Sequence, residues 1–238
     1  MNIGEILNDA LVYPTNHVKS LVIYAVLAIV GAFIGGASVL SIIAAASSTG
    51  LNVAAFTGVG LIGIIVFIII LFLIDGYALD IIKYGIERKD EGPEIDFGRQ
   101  VSNAVKLIVV AVVYYVIPLI ITIVLSLLLR GWLTALIGII LFIVFSLANF
   151  MAKCRLAKTD NLGEALAIGE AIGDISKVGL GKILGTVILV VLIGLIVAFI
   201  IGMIGGLNGT IGSILLGIFS VYYLFFYNRA IGLLYSDV

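Results

Sequence analysis

Asp75 is the clearest candidate for chemistry in this sequence, because it stands inside a run of apolar residues. The next basic residue is Lys83, eight positions further along, which corresponds to about 12 Å on a helix rising ~1.5 Å per residue. An ionisable side chain held in hydrocarbon is costly, so it usually pairs, faces a protein interior or marks a pathway for protons or ions. Asp75 is therefore the starting point for a polar site. Asp80 stands nearer the end of the run, and we expect it to be in contact with water.

Four other polar residues are candidates to join Asp75 in one cluster. Asn149 and Asn228 end two other apolar runs much as Asp75 ends its own, and Arg155 and Arg229 follow them. One interpretation places these residues around a proton or cation site at the centre of a helix bundle. The other makes Asp75 a tie between helices, since polar hydrogen bonds between membrane helices contribute about 0.6–2 kcal/mol and fix their register. The sequence favours the tie and leaves the pathway open.

Several kinds of function lack the residues that they need. There are no paired carboxylates within an apolar run, no HExxH zinc motif, no nucleophile elbow and no Walker-type phosphate loop. His17 and Cys154 are the only residues of their types, so they build neither a metal cage nor a disulfide framework. A net charge of −1 provides no basic surface for nucleic acid. We expect no enzyme, no cofactor, no metal and no nucleic-acid partner.

The composition is that of an integral membrane protein. Of 238 residues, 63% are hydrophobic and 11% are charged, whereas soluble domains carry roughly 25% charged residues. A helix needs about 20 apolar residues to cross the hydrocarbon core, and six segments satisfy this. The chain is thus predicted to be all-α, a single transmembrane domain over residues 1–238, with spans near 21–46, 59–82, 107–129, 132–152, 183–205 and 211–233.

The distribution of basic residues predicts the orientation of these spans. Twelve of the thirteen Lys and Arg residues fall on the side that holds both termini and the two long loops, and only Arg130 falls opposite. Basic residues near span ends are retained in the cytoplasm. We expect a multi-pass protein of the plasma membrane with both termini cytoplasmic, Arg130 and Trp132 at the outer surface, and an uncharged outer loop at 47–58. Tyrosines near the inner ends, among them Tyr24 and Tyr77, are expected in a belt at the lipid headgroups.

An apolar residue followed by glycine recurs before each pair of spans. The copies start at Ile3-Gly4, Phe97-Gly98 and Leu162-Gly163, and each introduces an amphipathic stretch that can lie on the membrane surface. Asp75, Asn149 and Asn228 then occupy matching positions at the ends of the even spans. The pattern suggests three parallel repeats, each made of an interfacial helix and two spans.

Ordered loop motifs give the sequence a family resemblance. Gly92-Pro93-Glu94-Ile95-Asp96-Phe97-Gly98 with Pro118, Leu162-Gly163-Glu164-Ala165, and Asn228-Arg229-Ala230-Ile231-Gly232 together resemble an uncharacterised six-span membrane family of archaea and some bacteria, catalogued as a domain of unknown function (family 4013). Ile95 departs from that family's pattern, which tends to have an aromatic residue there. The resemblance implies a six-span membrane protein and carries over no catalytic residue.

Two functional hypotheses remain. The first is a non-catalytic membrane module that packs with membrane lipids, protein partners or further copies of itself. The second is a permease for a small solute, an ion or a lipid-like substrate, with an inner-leaflet site around Asp75. A permease needs several convergent polar groups in its spans, and polar residues there are sparse. The sequence therefore favours the module.

Overall fold

The computed structural model describes the backbone of residues 1–46, 51–129 and 131–238, and the side chains of all of these except 51–56. Within that part the chain forms helices and no strand, which confirms the all-α class. The helices are α1 (Ile3–Asn16), α2 (Val18–Ala46), α3 (Leu51–Ile86), α4 (Phe97–Leu128), α5 (Trp132–Thr159), α6 (Leu162–Ala165), α7 (Ile168–Val178), α8 (Leu180–Leu207) and α9 (Gly209–Tyr235). The predicted surface marker Arg130 and the loop residues 47–50 lie outside the described residues.

Six of these helices are long and apolar enough to cross a membrane: α2, α3 from Thr57, α4, α5, α8 and α9. The predicted six-span protein is confirmed, although several helices run further than expected. The span predicted at 132–152 continues as α5 to Thr159. It continues because Cys154, Leu156 and Ala157 are buried, so packing against protein sustains the helix beyond the apolar run.

The short stretches before the spans take two forms. α1 is a separate helix that begins with a capping box between Asn2 and Glu5. The second stretch is not separate, because α4 runs without a break from its N-cap, Asp96, into the third span. The third copy, predicted from Leu162, forms only the single turn α6, and the longer amphipathic helix α7 begins at Ile168.

We call α1, the first turns of α4 (97–106) and α7 the interfacial segments. Each packs against the second span of the preceding pair: α1 against α9, the start of α4 against α3, and α7 against α5. Because α1 of the first unit meets α9 of the last, the units close into a ring. α3 also contacts both α9 and α5, the second spans of the other two units.

Glycine allows α3 and α9 to cross closely. A Cβ atom added to Gly85 would lie 2.9 Å from the Cα of Gly232, and one added to Gly232 would lie 2.8 Å from the Cα of Gly85. Real Cβ atoms essentially never approach so closely, so any side chain here would push the helices apart.

The predicted tyrosine belt is wrong for the residues nearest the bundle centre. Tyr24 and Tyr77 are 0% and 1% exposed, and their rings stack at 4.3 Å beside Phe225. They pack in the protein core between α2, α3 and α9 because large rings gain more from burial there than at a half-wet interface.

Candidate polar site

A cleft of about 470 Å³ opens between α3, α4, α5 and α9. Its walls are mostly apolar, and its polar groups come from three helices. Those groups are Asp75 of α3, Lys153 of α5, and Ser220, Tyr223, Tyr227 and Asn228 of α9. Two residues of the predicted cluster, Asp75 and Asn228, therefore reach the same space.

Asp75 and Lys153 attract each other across this cleft without a direct contact. Asp75 is exposed and Lys153 is half-buried. Neither makes a hydrogen bond or an ion pair within 4.0 Å to any residue that the structure describes. Asn228, in contrast, donates its amide to the Leu224 carbonyl at 2.7 Å and is 9% exposed. The cleft thus presents one carboxylate and one ammonium group, neither of which has a direct hydrogen-bonding or ion-pair partner among the described residues.

Asn149 does not join this cleft, so the three matching positions inferred from the sequence differ in place. Its Nδ2 lies 3.4 Å from the Tyr115 hydroxyl, and its Oδ1 has no partner among the described residues. It links α5 to α4 rather than to the bundle centre. The sequence placed Asn149 near the end of the fourth predicted span, but it did not show which way that face of the helix turns.

Arg229 is likewise absent from the cleft, because it holds α1 to α9. The side chain is 1% exposed, and its Nε donates to Asp9 Oδ1 at 2.8 Å. A second nitrogen donates to the carbonyls of Tyr84 and Lys89 at 3.2 and 2.7 Å, and the guanidinium stacks 4.8 Å from the Tyr13 ring. One side chain therefore joins α1, α9 and the end of α3.

Arg155 of α5 holds α7 in the same way, through an ion pair with Asp174. It donates to Asp174 Oδ2 at 3.0 Å, to Glu164 Oε2 at 2.8 Å and to Glu170. Asp174 is 0% exposed and also accepts from the Tyr235 hydroxyl and from Lys177, each at 2.6 Å. Burial alone would raise the pKa of Asp174, but these three donors outweigh it and hold that pKa below its usual range.

A third contact of this kind joins α3 and α4, with the opposite assignment of charges. We call the three contacts, Arg229–Asp9, Arg155–Asp174 and Asp80–Arg99, the polar junctions. Asp80 is 6% exposed and accepts from Arg99 at 3.2 Å and from Asn103 at 3.0 Å. The prediction that Asp80 is in contact with water is wrong, because the start of α4 covers it. Here the carboxylate belongs to the span and its partners belong to the interfacial segment.

Asp9, Asn103 and Asp174 occupy equivalent positions in the three interfacial segments. Each lies six residues after the first residue of its helix, namely Ile3, Phe97 or Ile168. Each also contacts the second span of the preceding pair. The sequence contains this pattern as Gly4-Glu5…Asp9 and Gly169-Glu170…Asp174. It was missed because the third repeat was predicted to start at Leu162 and not at Ile168.

A comparison with protein families identifies one family to which the chain is similar. One family, described as a protein of unknown function, DUF4013, matches residues 59–209, which is more than half of the chain. The chain belongs to this family. The match runs from the early turns of α3 to the first residue of α9, and it confirms the resemblance suggested by the loop motifs. No curated protein and no solved structure matches the chain.

The DUF4013 match includes Asp75, Asn149, Lys153 and Arg155, while Asn228 and Arg229 lie beyond it. Asp75 and Lys153 of the cleft, and two of the three polar junctions, therefore belong to the matched region. The family description assigns no activity.

Proposed function

We propose that this protein is a non-catalytic module of the plasma membrane that packs with lipids and with partner proteins. The observation that carries the proposal is the closed ring of polar junctions. Arg229–Asp9, Asp80–Arg99 and Arg155–Asp174 each fasten an interfacial segment to a span of the neighbouring unit. Such cross-linking favours one rigid arrangement over the two arrangements that alternating access requires.

The outer surface suits packing within lipid. Large apolar side chains such as Phe33, Leu127 and Phe199 are 74%, 80% and 70% exposed. In water an apolar surface of this extent would drive aggregation, whereas in a bilayer it meets acyl chains. The same surface is available to a membrane partner or to a second copy of the chain.

The orientation is part of the proposal. The termini and the charged loops meet at one end of the bundle, where Asp237 contacts Arg88 and Lys182, and Lys158 contacts Val238. Basic residues cluster at this end, which by the positive-inside tendency faces the cytoplasm.

Cysteine labelling tests the orientation directly, because the native Cys154 is 0% exposed. We expect an impermeant maleimide to label Leu207→Cys on intact cells and to label Glu91→Cys only after lysis. The opposite pattern would invert the topology.

The permease hypothesis has one observation in its favour, namely the cleft at Asp75. Purified protein in sealed liposomes separates the two hypotheses. We expect proton, potassium and sodium fluxes equal to those of protein-free liposomes. An added flux that disappears in Asp75→Asn would replace the module with a permease.

A further inference from the structure

The cleft between α3, α4, α5 and α9 contains a combination of charges that the ring of junctions does not use. Asp75 and Lys153 line the same cleft and attract each other across it, but neither makes a hydrogen bond or an ion pair within 4.0 Å in the part of the chain that the structure describes. Elsewhere, buried charges such as Asp174 and Arg229 have two or more partners. An unpaired charge at membrane depth is costly, so an occupant that satisfies both groups would be stabilised.

We propose that this cleft binds the headgroup of a zwitterionic phospholipid with a primary ammonium, of the phosphatidylethanolamine class. The lipid ammonium donates to Asp75, and the lipid phosphate accepts from Lys153. The inference rests on the proposed function, because it treats the lipid as a bound structural partner and not as cargo.

The position of the cleft suits such a headgroup. Asp75 stands five residues before Asp80, or roughly 7–8 Å along the helix, so it lies a short distance inside the ring of junctions. Ile108 and Ser220, which line the cleft on opposite helices, are both exposed. A lipid can therefore enter sideways from the bilayer with its chains remaining among acyl chains.

The lining matches both parts of the molecule. Phe72, Leu79, Leu107 and Leu224 supply apolar walls, while Asn228 and Tyr227 add polar groups beside Asp75 and Lys153. A volume of about 470 Å³ lies within the range of roughly 300–1,000 Å³ that is usual for small-molecule sites.

Other occupants fit the charges less well. A bare metal cation prefers several oxygen ligands, and here one carboxylate stands opposite an ammonium group. An anionic lipid such as phosphatidylglycerol satisfies Lys153 but places its phosphate near Asp75 with no cation between them. Phosphatidylcholine carries a cation, but its quaternary ammonium has no N–H to donate.

Native mass spectrometry of the whole protein tests the site. The protein is exchanged into micelles with equimolar phosphatidylethanolamine, phosphatidylglycerol and phosphatidylcholine, and retained lipid is counted. We expect one retained phosphatidylethanolamine in the wild type, and at least a tenfold loss in Asp75→Asn and in Lys153→Met. Glu91→Gln and Lys19→Met, which remove exposed charges outside the cleft, should retain the lipid.

Two outcomes would overturn the lipid site: equal retention of the three lipids by the wild type, or undiminished retention in Asp75→Asn. A parallel assay follows fluorescent phosphatidylethanolamine across liposome membranes. Asp75-dependent flipping would leave the site in place and overturn the module in favour of a lipid permease. Loss of selective retention without flipping would remove the site and leave the module.

Discussion

Arg229 and Asp75 are both charged residues of membrane-spanning helices, yet the protein surrounds them differently. The guanidinium of Arg229 meets a carboxylate, two carbonyls and an aromatic ring. Asp75 makes no hydrogen bond or ion pair within 4.0 Å to any described residue, and it faces Lys153 only across the cleft. Removing one partner of a buried pair leaves the other charge uncompensated, whereas removing the Asp75 charge breaks no direct contact. The difference separates residues that hold the fold from residues that await an occupant.

The largest effect on stability is expected at Arg229. We expect Arg229→Met to lower the free energy of unfolding by about 3 kcal/mol, because Asp9 and two carbonyls lose their donor while burial is retained. Thermal unfolding in mild detergent measures the effect. The stability of Arg229→Lys should lie between those of the wild type and Arg229→Met, because an ammonium group keeps the charge but cannot reproduce the forked geometry of the guanidinium.

Arg88→Met is the matched control for this variant. Arg88 also pairs with an aspartate at the same end of the bundle, but both side chains are nearly half exposed. Exposed pairs contribute about 0–1 kcal/mol, so the unfolding midpoint should hardly move. Equal losses in Arg88→Met and Arg229→Met would show that burial does not distinguish the junctions from surface pairs.

Much of the architecture was predictable from the sequence, because each step depends on a local property. Six spans follow from the length of the apolar runs, and the ends at which charges gather follow from where Lys and Arg stand. The junctions were not predictable in this way, since Asp9 and Arg229 are 220 positions apart. Nothing local in the sequence pairs them.

The polar site was predicted in part for a related reason. Asp75 and Asn228 were expected to converge and do line one cleft, but Asn149 turns toward α4. Lys153 was counted only as a marker of the cytoplasmic side. Hydropathy gives the depth of a residue in a membrane helix, whereas rotation about the helix axis depends on packing between helices.

A smaller effect on stability is expected at the crossing of α3 and α9, which brings Arg229 of α9 close to Tyr84 of α3. Gly232→Ala should destabilise the protein by about 1–3 kcal/mol, because the new methyl group forces the two backbones apart. Gly173→Ala in α7 is the control, since a Cβ there has no atom within 4 Å. It should be neutral or slightly stabilising, because alanine favours helix more than glycine does. Equal unfolding midpoints in the two variants would contradict the close crossing.

The Asp174 junction should also respond to pH. The pKa of Asp174 is lower in the folded protein than in the unfolded chain, where it is about 3.9. Its stabilising contribution is therefore complete above that unfolded pKa and is lost as pH falls through the lower folded pKa. As pH falls from about 5 to about 2, the unfolding temperature of the wild type should fall more steeply than that of Asp174→Asn. Parallel curves would show that the ionised form of Asp174 does not stabilise the fold.

The smallest effect on stability is expected at Asp75, and it is the one that separates a tie between helices from a site. In detergent free of phospholipid, Asp75→Asn should change the free energy of unfolding by less than about 0.5 kcal/mol, because no described residue loses a hydrogen bond or an ion pair within 4.0 Å. Asp80→Asn, five positions away on the same helix, should cost about 1–3 kcal/mol, because it removes the charge that Arg99 and Asn103 bind. Similar losses of unfolding free energy in Asp75→Asn and Asp80→Asn would make Asp75 a structural tie between helices and would contradict a ligand site in the cleft. A loss confined to Asp80 would leave the Asp75 carboxylate available to a ligand.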